Sequence, residues 1–338
     1  MIVEAFRDAP PADLASALER FEEQFTYPLG PGRSFRISHG TDYPRFFRAM
    51  GEPACFVATS DARPHGVGQA FQPDSQAGKP DLRERGGRVV GVLGCALRRL
   101  QLPNGTECPA VYLGDLKVDP QARGGRALPQ LAQAAMRWVA ARAKVAFSVV
   151  MDGTRITPTR YTGRLGIPPF QELGKIMVLR IATRTDSLRE SATITDALGA
   201  ACYVRLSAGR YACPGGFPSE RSEIAPTWLM TPDGDACGRL EDTRRAKRLI
   251  ADDGVEMQSA HLSCFAYHDV IAGVVLLKIA LARAAERGLP ALFVAVPTPD
   301  AEAFCAALAL TDIVTAPATV FGTGLAPGAL WNINTAEI

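Results

Sequence analysis

The same order of strand, helix and strand occurs twice along this chain. A helix pattern begins near Gly125 and again near Asp269, about 144 residues later. The apolar strands that follow begin at Val145 or Ala146 and at Ala291, about 145 residues apart. Matching offsets of this size are typical of a duplicated domain. The sequence therefore predicts two tandem domains with one plan.

Length and composition agree with this prediction. The 338 residues are more than twice a typical domain of about 150 residues. Hydrophobic residues make up 47% and charged residues 21%, which supplies enough apolar side chains for two cores. We place the boundary in the polar segment 183–196, so that residues 1–182 form the first domain and residues 197–338 the second.

Charge and cysteine usage exclude several classes of function. The 37 basic and 35 acidic residues give a net charge of +2 without long runs of one sign, which argues against a nucleic-acid partner. The eight cysteines form no CxxC motif and do not pair with the four histidines at zinc-site spacing, so we expect reduced thiols and no metal. No secretory signal and no apolar run of about 18 residues is present, so we expect a cytoplasmic protein without a membrane span.

The first domain has the pattern of an α+β fold in which helices flank a mixed sheet. Its predicted elements are, in order, a helix at 11–25, a strand at Ser34–Ser38, a helix from Thr41, strands at 54–59, 88–102 and 110–118, a helix from about Gly125, and strands at Val145–Met151 and 175–181. The turn Pro103-Asn104-Gly105-Thr106 predicts an antiparallel hairpin. Residues 61–87 are polar and rich in glycine and proline, which indicates a long excursion between strands.

The second domain repeats the later part of this plan. The sequence predicts a strand at 256–267, an apolar helix at 270–287 that ends at Gly288, and a strand at 291–296.

One loop of the first domain carries the chemistry of an anion site. The strand 110–118 leads into Asp119-Pro120-Gln121-Ala122-Arg123-Gly124-Gly125 and then into a helix. Such a turn points backbone amides outward at the positive end of the helix dipole, which is a geometry that binds phosphate. The glycines allow close approach, and Arg123 and Arg126 add charge-assisted hydrogen bonds. A pyrophosphate site and a plain strand-to-helix turn both fit this local sequence. Neither GxGxxG nor GxxxxGK[ST] occurs there, which excludes a dinucleotide fold and a P-loop.

The stretch YLGDLKVDPQARGGRALPQL, residues 112–131, resembles the fourth strand and acetyl-CoA pyrophosphate loop of the GNAT superfamily of acyl-CoA-dependent N-acyltransferases. The family pattern is Gln or Arg, two residues of any type, Gly, any residue, then Gly or Ala. Gln121 and Gly124 match it, whereas Arg126 stands at the sixth place and Ala127 follows one residue later. The order of elements extends the resemblance over about residues 34–182. It implies two tandem GNAT-like domains, each a mixed and mostly antiparallel sheet flanked by helices.

The resemblance also implies a set of site residues. An acyl-CoA, with acetyl-CoA the favoured donor, would bind its pantetheine arm along the main chain at Leu116 and Val118. The pyrophosphate would bind to Arg123, Gly124, Gly125, Arg126 and Ala127. An amine would then attack the thioester directly, with Asp115 as the candidate base and Tyr161 as the candidate acid for the leaving thiolate. Tyr161 stands one residue from the family's position, which Thr162 occupies.

Each catalytic candidate has an alternative. Asp115 beside an apolar cleft would have a raised pKa suited to a base, or it would simply bond to backbone or face solvent. Tyr161 would equally be a core or surface tyrosine. Tyr112 lies three residues before Asp115, so the two side chains point to opposite faces of the strand unless a bulge intervenes.

The second domain departs further from the family pattern. The segment before its helix at Asp269 contains no arginine and one late glycine, and Cys305 stands at the tyrosine position. We therefore expect a degenerate copy without its own cofactor, and one active site per chain.

The sequence thus predicts an N-acyltransferase, and three alternatives remain open. One is a non-catalytic module that binds or senses acyl-CoA, and another is decarboxylation of an acyl-CoA. The third is an acyltransferase that uses an acyl carrier protein, for which a basic docking patch would consist of Arg83, Arg85, Arg88, Arg98 and Arg99. The acceptor is expected to be a small-molecule amine or an amino-acid-like compound, and no pattern identifies it or the oligomeric state.

Overall fold

The computed structural model describes residues 1–28, 32–60, 87–154, 156–161, 163, 167–184, 192–309 and 313–338, and of Tyr161 it describes the backbone. The strands are β1 Ile2–Phe6, β2 Tyr27–Pro28, β3 Ser34–Ser38, β4 Glu52–Ser60, β5 Arg88–Gln101, β6 Glu107–Val118, β7 Val145–Met151, β8 Gln171–Ala182, β9 Ala192–Ile194, β10 Tyr211–Ala212, β11 Thr227–Met230, β12 Ala236–Glu241, β13 Arg248–Ala251, β14 Ala260–Tyr267, β15 Ala291–Pro297, β16 Ile313–Thr323 and β17 Trp331–Asn332. The α-helices are α1 Ala12–Glu22, α2 Pro44–Arg48, α3 Ala127–Ala140, α4 Asp196–Leu206, α5 Pro218–Arg221, α6 Val270–Glu286 and α7 Thr298–Leu308.

One large sheet runs through both halves of the chain. Its strand order is β1-β4-β5-β6-β7-β16-β8-β15-β14-β12-β11-β9. Along this path the pairings are antiparallel except for β6 with β7 and β14 with β15. Each parallel pair is joined by a helix, α3 or α6, because a parallel connection needs a crossover. The predicted α+β fold, a mixed and mostly antiparallel sheet flanked by helices, is confirmed.

The last long strands of the two halves exchange places at the centre of this sheet. β16 pairs with β7 of the first half, and β8 pairs with β15 of the second half. β8 and β16 also pair with each other from Ile313 opposite Ile181 to Gly322 opposite Gln171. Each half therefore completes its sheet with a strand from the other. A second, small sheet of order β13-β3-β2 also combines strands from both halves.

The first half packs helices on both faces of its sheet. On one face, Leu18 and Phe21 of α1 and Phe47 of α2 lie in one buried cluster with Tyr112 of β6. On the other face, α3 contributes Leu131 and other apolar side chains to a separate cluster. These spacings are those of an amphipathic helix, so the sequence pattern and the packing agree.

Most predicted elements are present, with shifted ends. β3 and β7 have the predicted bounds, and the hairpin between β5 and β6 is antiparallel. The helix predicted from Thr41 begins at Pro44, since the fixed φ of proline suits the first turn of a helix. The strand predicted at 256–267 begins at Ala260. The predicted excursion 61–87 lies outside the described residues except for Gly87.

Two further expectations concern the whole chain. The eight cysteines are free, and six of them are buried, which agrees with the prediction of reduced thiols. Within the described ranges, no helix is both long enough and apolar enough to cross a membrane.

Candidate active site

The strands β6 and β7 separate from each other after a short parallel contact. They pair only from Ala110 opposite Val145 to Tyr112 opposite Phe147. Beyond this point, β6 pairs with β5 and β7 pairs with β16, so the facing edges of 113–118 and 148–151 make no ladder. Apolar side chains are exposed near the open ends, with Leu116 44% and Met151 39% exposed. A wedge-shaped opening with free backbone groups results.

A β-bulge lies in β6 at this opening. In the register with β5, Gly114 pairs with Gly94 and Lys117 with Val92, so Asp115 and Leu116 together oppose one residue. Asp115 has φ 55°, which is uncommon for a residue other than glycine. The Asp115 side chain bonds to Tyr43, and Tyr43 lies in the same buried cluster as Tyr112. The extra residue of the bulge therefore places Asp115 on the face of the sheet that carries Tyr112. From the sequence, Tyr112 and Asp115 share a face only if a bulge lies between them, and this bulge is present.

The Asp115 carboxylate is held by a buried network of polar groups. The Tyr43 hydroxyl donates to Asp115 Oδ2 at 2.6 Å, and Lys117 Nζ lies 2.8 Å from Asp115 Oδ1. Lys117 Nζ also donates to Glu22 Oε1 at 3.0 Å, and Glu22 Oε1 lies 2.6 Å from His39 Nδ1. The side chains of Glu22, His39 and Lys117 are at most 3% exposed. Helix α1 is thereby connected to the bulge through charged groups.

This network lowers the pKa of Asp115. Burial alone would raise the pKa, but Lys117 and His39 and the hydrogen bonds from Lys117 and Tyr43 outweigh it. The expectation of a raised pKa is therefore wrong, because the sequence reasoning included the apolar cleft and omitted the ammonium two residues away. Burial also raises the pKa of Tyr43 well above its ordinary value, so its hydroxyl stays protonated and donates to Asp115.

Glu22, His39 and Asp115 are side chains of the type that binds metal ions, and their ligand atoms lie within 4.8 Å of one another. Lys117 Nζ contacts both carboxylates at 3.0 Å or less. A divalent ion would be repelled by this ammonium, so the donor set fits a metal poorly while Lys117 is in place. The positive charge that balances the two carboxylates comes from the chain itself.

The predicted anion loop lies between the end of β6 and the first turn of α3. A 3₁₀ turn at Pro120–Ala122 is followed by Arg123, Gly124, Gly125 and Arg126, all of them exposed, and α3 begins at Ala127. Gly124 has φ 79°, which is the left-handed region that favours glycine. The N–H groups of Arg126, Ala127 and Leu128 donate to no described protein group, as is usual for the first turn of a helix. The loop thus presents free amides and two guanidinium groups to solvent.

A buried aspartate holds this loop in shape. Asp119 is 2% exposed, and its Oδ1 accepts a hydrogen bond from the Gln121 N–H at 2.8 Å. Arg88 of β5 contacts Asp119 Oδ2 and donates to Gln121 Oε1 at 3.1 Å. The sequence reasoning did not identify Asp119 as important. Asp119 stands directly after a strand and at the start of a turn whose first N–H, that of Gln121, has no described backbone acceptor. An aspartate at such a position is typical of a cap.

The other predicted site residues have different positions. Leu116 is part of the bulge, and Val118 packs on the α3 side of the sheet. Tyr161 ends a four-residue 3₁₀ turn, Pro158–Tyr161. Its side chain lies outside the described part of the structure, so its role stays a prediction.

Of the described members of the basic docking patch suggested for an acyl carrier protein, one is buried and two are in ion pairs. Arg98 is buried, and its Nη1 donates to Glu337 Oε2 at 2.6 Å. Arg88 is engaged with Asp119, and Arg99 forms an ion pair with Glu107. Arg83 and Arg85 lie outside the described residues.

The second half contains a matching bulge whose opening is closed. In the register of β12 with β14, Cys237 pairs with Ala266 and Arg239 with Ser263, so Cys264 is an extra residue, with φ 49°. Asn334, from the segment that follows β17, accepts a hydrogen bond from the Cys264 N–H at 2.7 Å. The Thr335 hydroxyl, from the same segment, donates to the Phe293 carbonyl of β15 at 3.3 Å. The segment 331–337 therefore lies between β14 and β15 at the place where β6 and β7 are open.

The helix that follows this second bulge has a carboxylate at its start. Asp269 caps α6, and its Oδ1 accepts from the Ala272 N–H at 2.9 Å. This carboxylate lies at the positive end of the helix dipole, where no such group stands at the start of α3.

Residues of the second half also reach the first half's opening. Tyr112, Phe147 and Val149 line a cavity of about 10 Å³ together with Glu337 and Ile338. Glu337 accepts from Arg98 of β5 and, at 3.2 Å, from Arg221 of α5. Burial would raise its pKa, but the two guanidinium groups hold it below the ordinary value. The end of the described chain thereby links the two halves beneath the opening.

Lys247 is a second contribution from the C-terminal half. Its Nζ contacts the main-chain oxygen of Ile338 and lies 4.9 Å from the centre of the Phe46 ring of α2. Burial, with the nearby Arg221, lowers the pKa of Lys247 to about 7, although Asp115 and Glu337 act in the opposite direction. The pattern of strands and helices in the sequence does not indicate a buried lysine here, because Lys247 lies between a turn and β13.

The structure resembles solved N-acyltransferase structures over nearly its whole length. Saccharomyces cerevisiae N-myristoyltransferase with bound myristoyl-CoA superposes with a TM-score of 0.63 at 10% identity, covering 99% of this chain and 87% of that one. A GCN5-related N-acetyltransferase from Anabaena variabilis gives a TM-score of 0.51 at 12% identity, covering 95% of this chain and 72% of that one. No protein-family model and no curated protein matches the sequence. At these identities the likeness establishes the fold, which is of the GNAT type in accord with the resemblance in residues 112–131.

Proposed function

We propose that this chain is an N-acyltransferase that moves an acyl group, acetyl in the first instance, from a CoA thioester to an amine by direct attack. The observation that carries the proposal is the opening between β6 and β7, with the exposed, amide-rich start of α3 beside it. The N-acyltransferases with a similar fold support it.

The donor would bind along the first half. The pantetheine arm would bond to the free main chain at the bulge, at Leu116 and Val118, since this edge makes no ladder with β7. The pyrophosphate would bind to the amides and side chains of residues 123–127, where the helix dipole and two arginines favour an anion.

Acetyl is favoured over a long acyl chain by the space beneath the opening. The cavity there has a volume of about 10 Å³, about enough for one water molecule, and Tyr112 and Phe147 are among the residues that line it. Phe147 is itself packed against Trp331, with ring centres 5.3 Å apart. A long acyl chain would have to displace these rings from a close-packed core.

The amine would be held on the side of the opening where both halves contribute. Asp115 stays the proposed proton acceptor, now as an ionised carboxylate whose position is set by Tyr43 and Lys117. When the amine nitrogen bonds to the thioester carbonyl carbon, the C–S bond breaks and the nitrogen gives up a proton. We assign that proton to Asp115 and the protonation of the leaving thiolate to Tyr161.

Residues 1–182 would thus form the acyl-CoA domain, and residues 197–338, after the linker 183–196, a degenerate copy. The copy has a capped helix start at Asp269 and a filled opening at Cys264. Its proposed role is to complete the sheet and the acceptor side of the first half.

Release of free thiol from acetyl-CoA, measured against a panel of amines and amino acids, tests the proposal. We expect thiol release that depends on the amine, together with an acylated amine detectable by mass spectrometry. Tight CoA binding without turnover on any amine would indicate a binding module instead. Carbon dioxide release from malonyl-CoA without an amine would indicate a decarboxylase.

A further inference from the structure

Three neighbouring strands of the second half place polar residues in one row across the sheet. Trp228 of β11 pairs with Arg239 of β12, and Arg239 pairs with Ser263 of β14. Residues directly opposite each other on neighbouring strands share a face, so these three side chains are adjacent. The row lies one residue before the bulge at Cys264, away from the loop that would bind pyrophosphate.

Four polar atoms of this row are buried and have no protein partner among the described residues. Arg239 is 7% exposed, and its Nε and Nη2 make no hydrogen bond to any described residue. The same is true of Ser263 Oγ and Trp228 Nε1. The Arg239 guanidinium lies 5.3 Å from the centre of the Trp228 ring.

Arg239 forms no ion pair with any acidic side chain in the described part of the chain. Glu241 stands two residues further along β12 on the same face, but Arg221 donates to both of its carboxylate oxygens, at 2.7 and 2.9 Å. Arg221 also donates to Glu337, which in turn pairs with Arg98. These two arginines and two glutamates balance each other, so one positive charge remains at Arg239.

A buried charge without a partner is costly, and buried charges in proteins are normally paired. The row presents donors: guanidinium N–H groups, an indole N–H and a hydroxyl. Donors of this kind around one positive charge suit an anion. The planar fork of a guanidinium matches a carboxylate better than a spherical ion.

We propose that Arg239, with Ser263 and Trp228, forms a carboxylate-binding site in the second half. The carboxylate belongs to a small molecule other than the amine acceptor, because β12 stands six strands from β6 in the sheet. The proposal does not depend on acyl transfer, because the site is separate from the opening between β6 and β7.

Thermal unfolding in sodium acetate tests this site. As acetate replaces chloride at constant ionic strength, the unfolding midpoint of the unmodified chain should rise by about 2 °C or more. Arg239→Met should abolish the rise and Arg239→Lys should reduce it. Arg137→Met, at an exposed arginine of α3, should leave it unchanged. No rise in the unmodified chain, or an equal rise in Arg239→Met, would overturn the proposal.

The Met variant is expected to fold, because replacing an unpaired buried charge by an apolar side chain of similar length is neutral or stabilising. A second measurement needs no variant: the NMR signal of the Arg239 Nε–H should shift and saturate with acetate, and a signal that stays unchanged would also overturn the site.

Discussion

Asp115 and Cys264 occupy equivalent places in the two halves of the chain. Each is the extra residue of a β-bulge on the strand before a crossover helix, with φ 55° and 49°. Their surroundings differ. Asp115 lies on β6 where this strand has separated from β7, whereas the Cys264 N–H is bonded to Asn334. The chain thus has two bulges of the same kind, and a segment of the chain itself fills the place beside one of them.

Replacing Asp115 by Asn should lower kcat/KM by about 10²-fold or more, since the proposed proton acceptor is lost. The Kd for acetyl-CoA should change little, because the loop at residues 123–127 is untouched. Stopped-flow thiol release and calorimetry measure the two quantities. Tyr43→Phe is the comparison: it removes one hydrogen bond to Asp115 and leaves the carboxylate in place, so it should lower kcat/KM by less than Asp115→Asn does. Full activity of Asp115→Asn would show that Asp115 only shapes the bulge.

Gly124→Ala should weaken acetyl-CoA binding, because a Cβ at φ 79° costs roughly 1–2 kcal/mol and displaces the loop. Gly105→Ala is the control. Gly105 has φ 82° in the hairpin between β5 and β6, and a Cβ at Gly105 or at Gly124 would meet no atom within 4 Å. Both variants should lose similar stability in urea unfolding. Only Gly124→Ala should raise the Kd, and an equal effect of both on binding would refute the assignment of the loop.

Asn334→Ala should destabilise the fold by about 1–3 kcal/mol, because the buried Cys264 N–H loses its only described acceptor. Asn104→Ala provides the comparison. It removes a similar bond to the Thr106 N–H, but that amide is exposed and water replaces the acceptor. Urea unfolding of both variants measures the difference, and equal losses would mean that the closed opening contributes no specific stability.

Lys247 should make stability depend on pH. Its pKa is about 7 in the fold against an ordinary value of 10.5. Between these values the unfolded chain binds one proton more than the folded chain, so the free energy of unfolding rises with pH across this window. Urea unfolding at pH 7.5 and pH 9.5 should show this rise in the unmodified chain and a smaller one in Lys247→Met. Equal rises in both would contradict the lowered pKa.

The sequence was sufficient for those parts of the fold that depend on local pattern. β3 and β7 have the predicted bounds because apolar runs bounded by turn residues define them. The exposed loop before α3 was predictable as well, since glycine, arginine and a following helix stand together in residues 119–131, and its role as an anion site stays a prediction.

Long-range features were not predictable in this way. The exchange of β8 and β16 depends on pairing between strands more than 130 residues apart in sequence. The network at the bulge includes Tyr43, which bonds to Asp115, and Glu22, which bonds to Lys117, and both come from elements far earlier in the chain. Lys117 was the one available signal, because a lysine inside an apolar strand needs a buried partner. The sequence does not indicate which carboxylates pair with it.

The most direct test of the central claim is a calorimetric titration of the chain with acetyl-CoA. We expect one binding site per chain. Arg123→Glu should raise its Kd at least about tenfold, since it reverses a charge beside the proposed pyrophosphate. Arg137→Glu, at an exposed arginine two turns or more further along α3, should leave the Kd nearly unchanged. Two equal sites, no binding, or a Kd that Arg123→Glu does not alter would contradict a single acyl-CoA site at the start of α3.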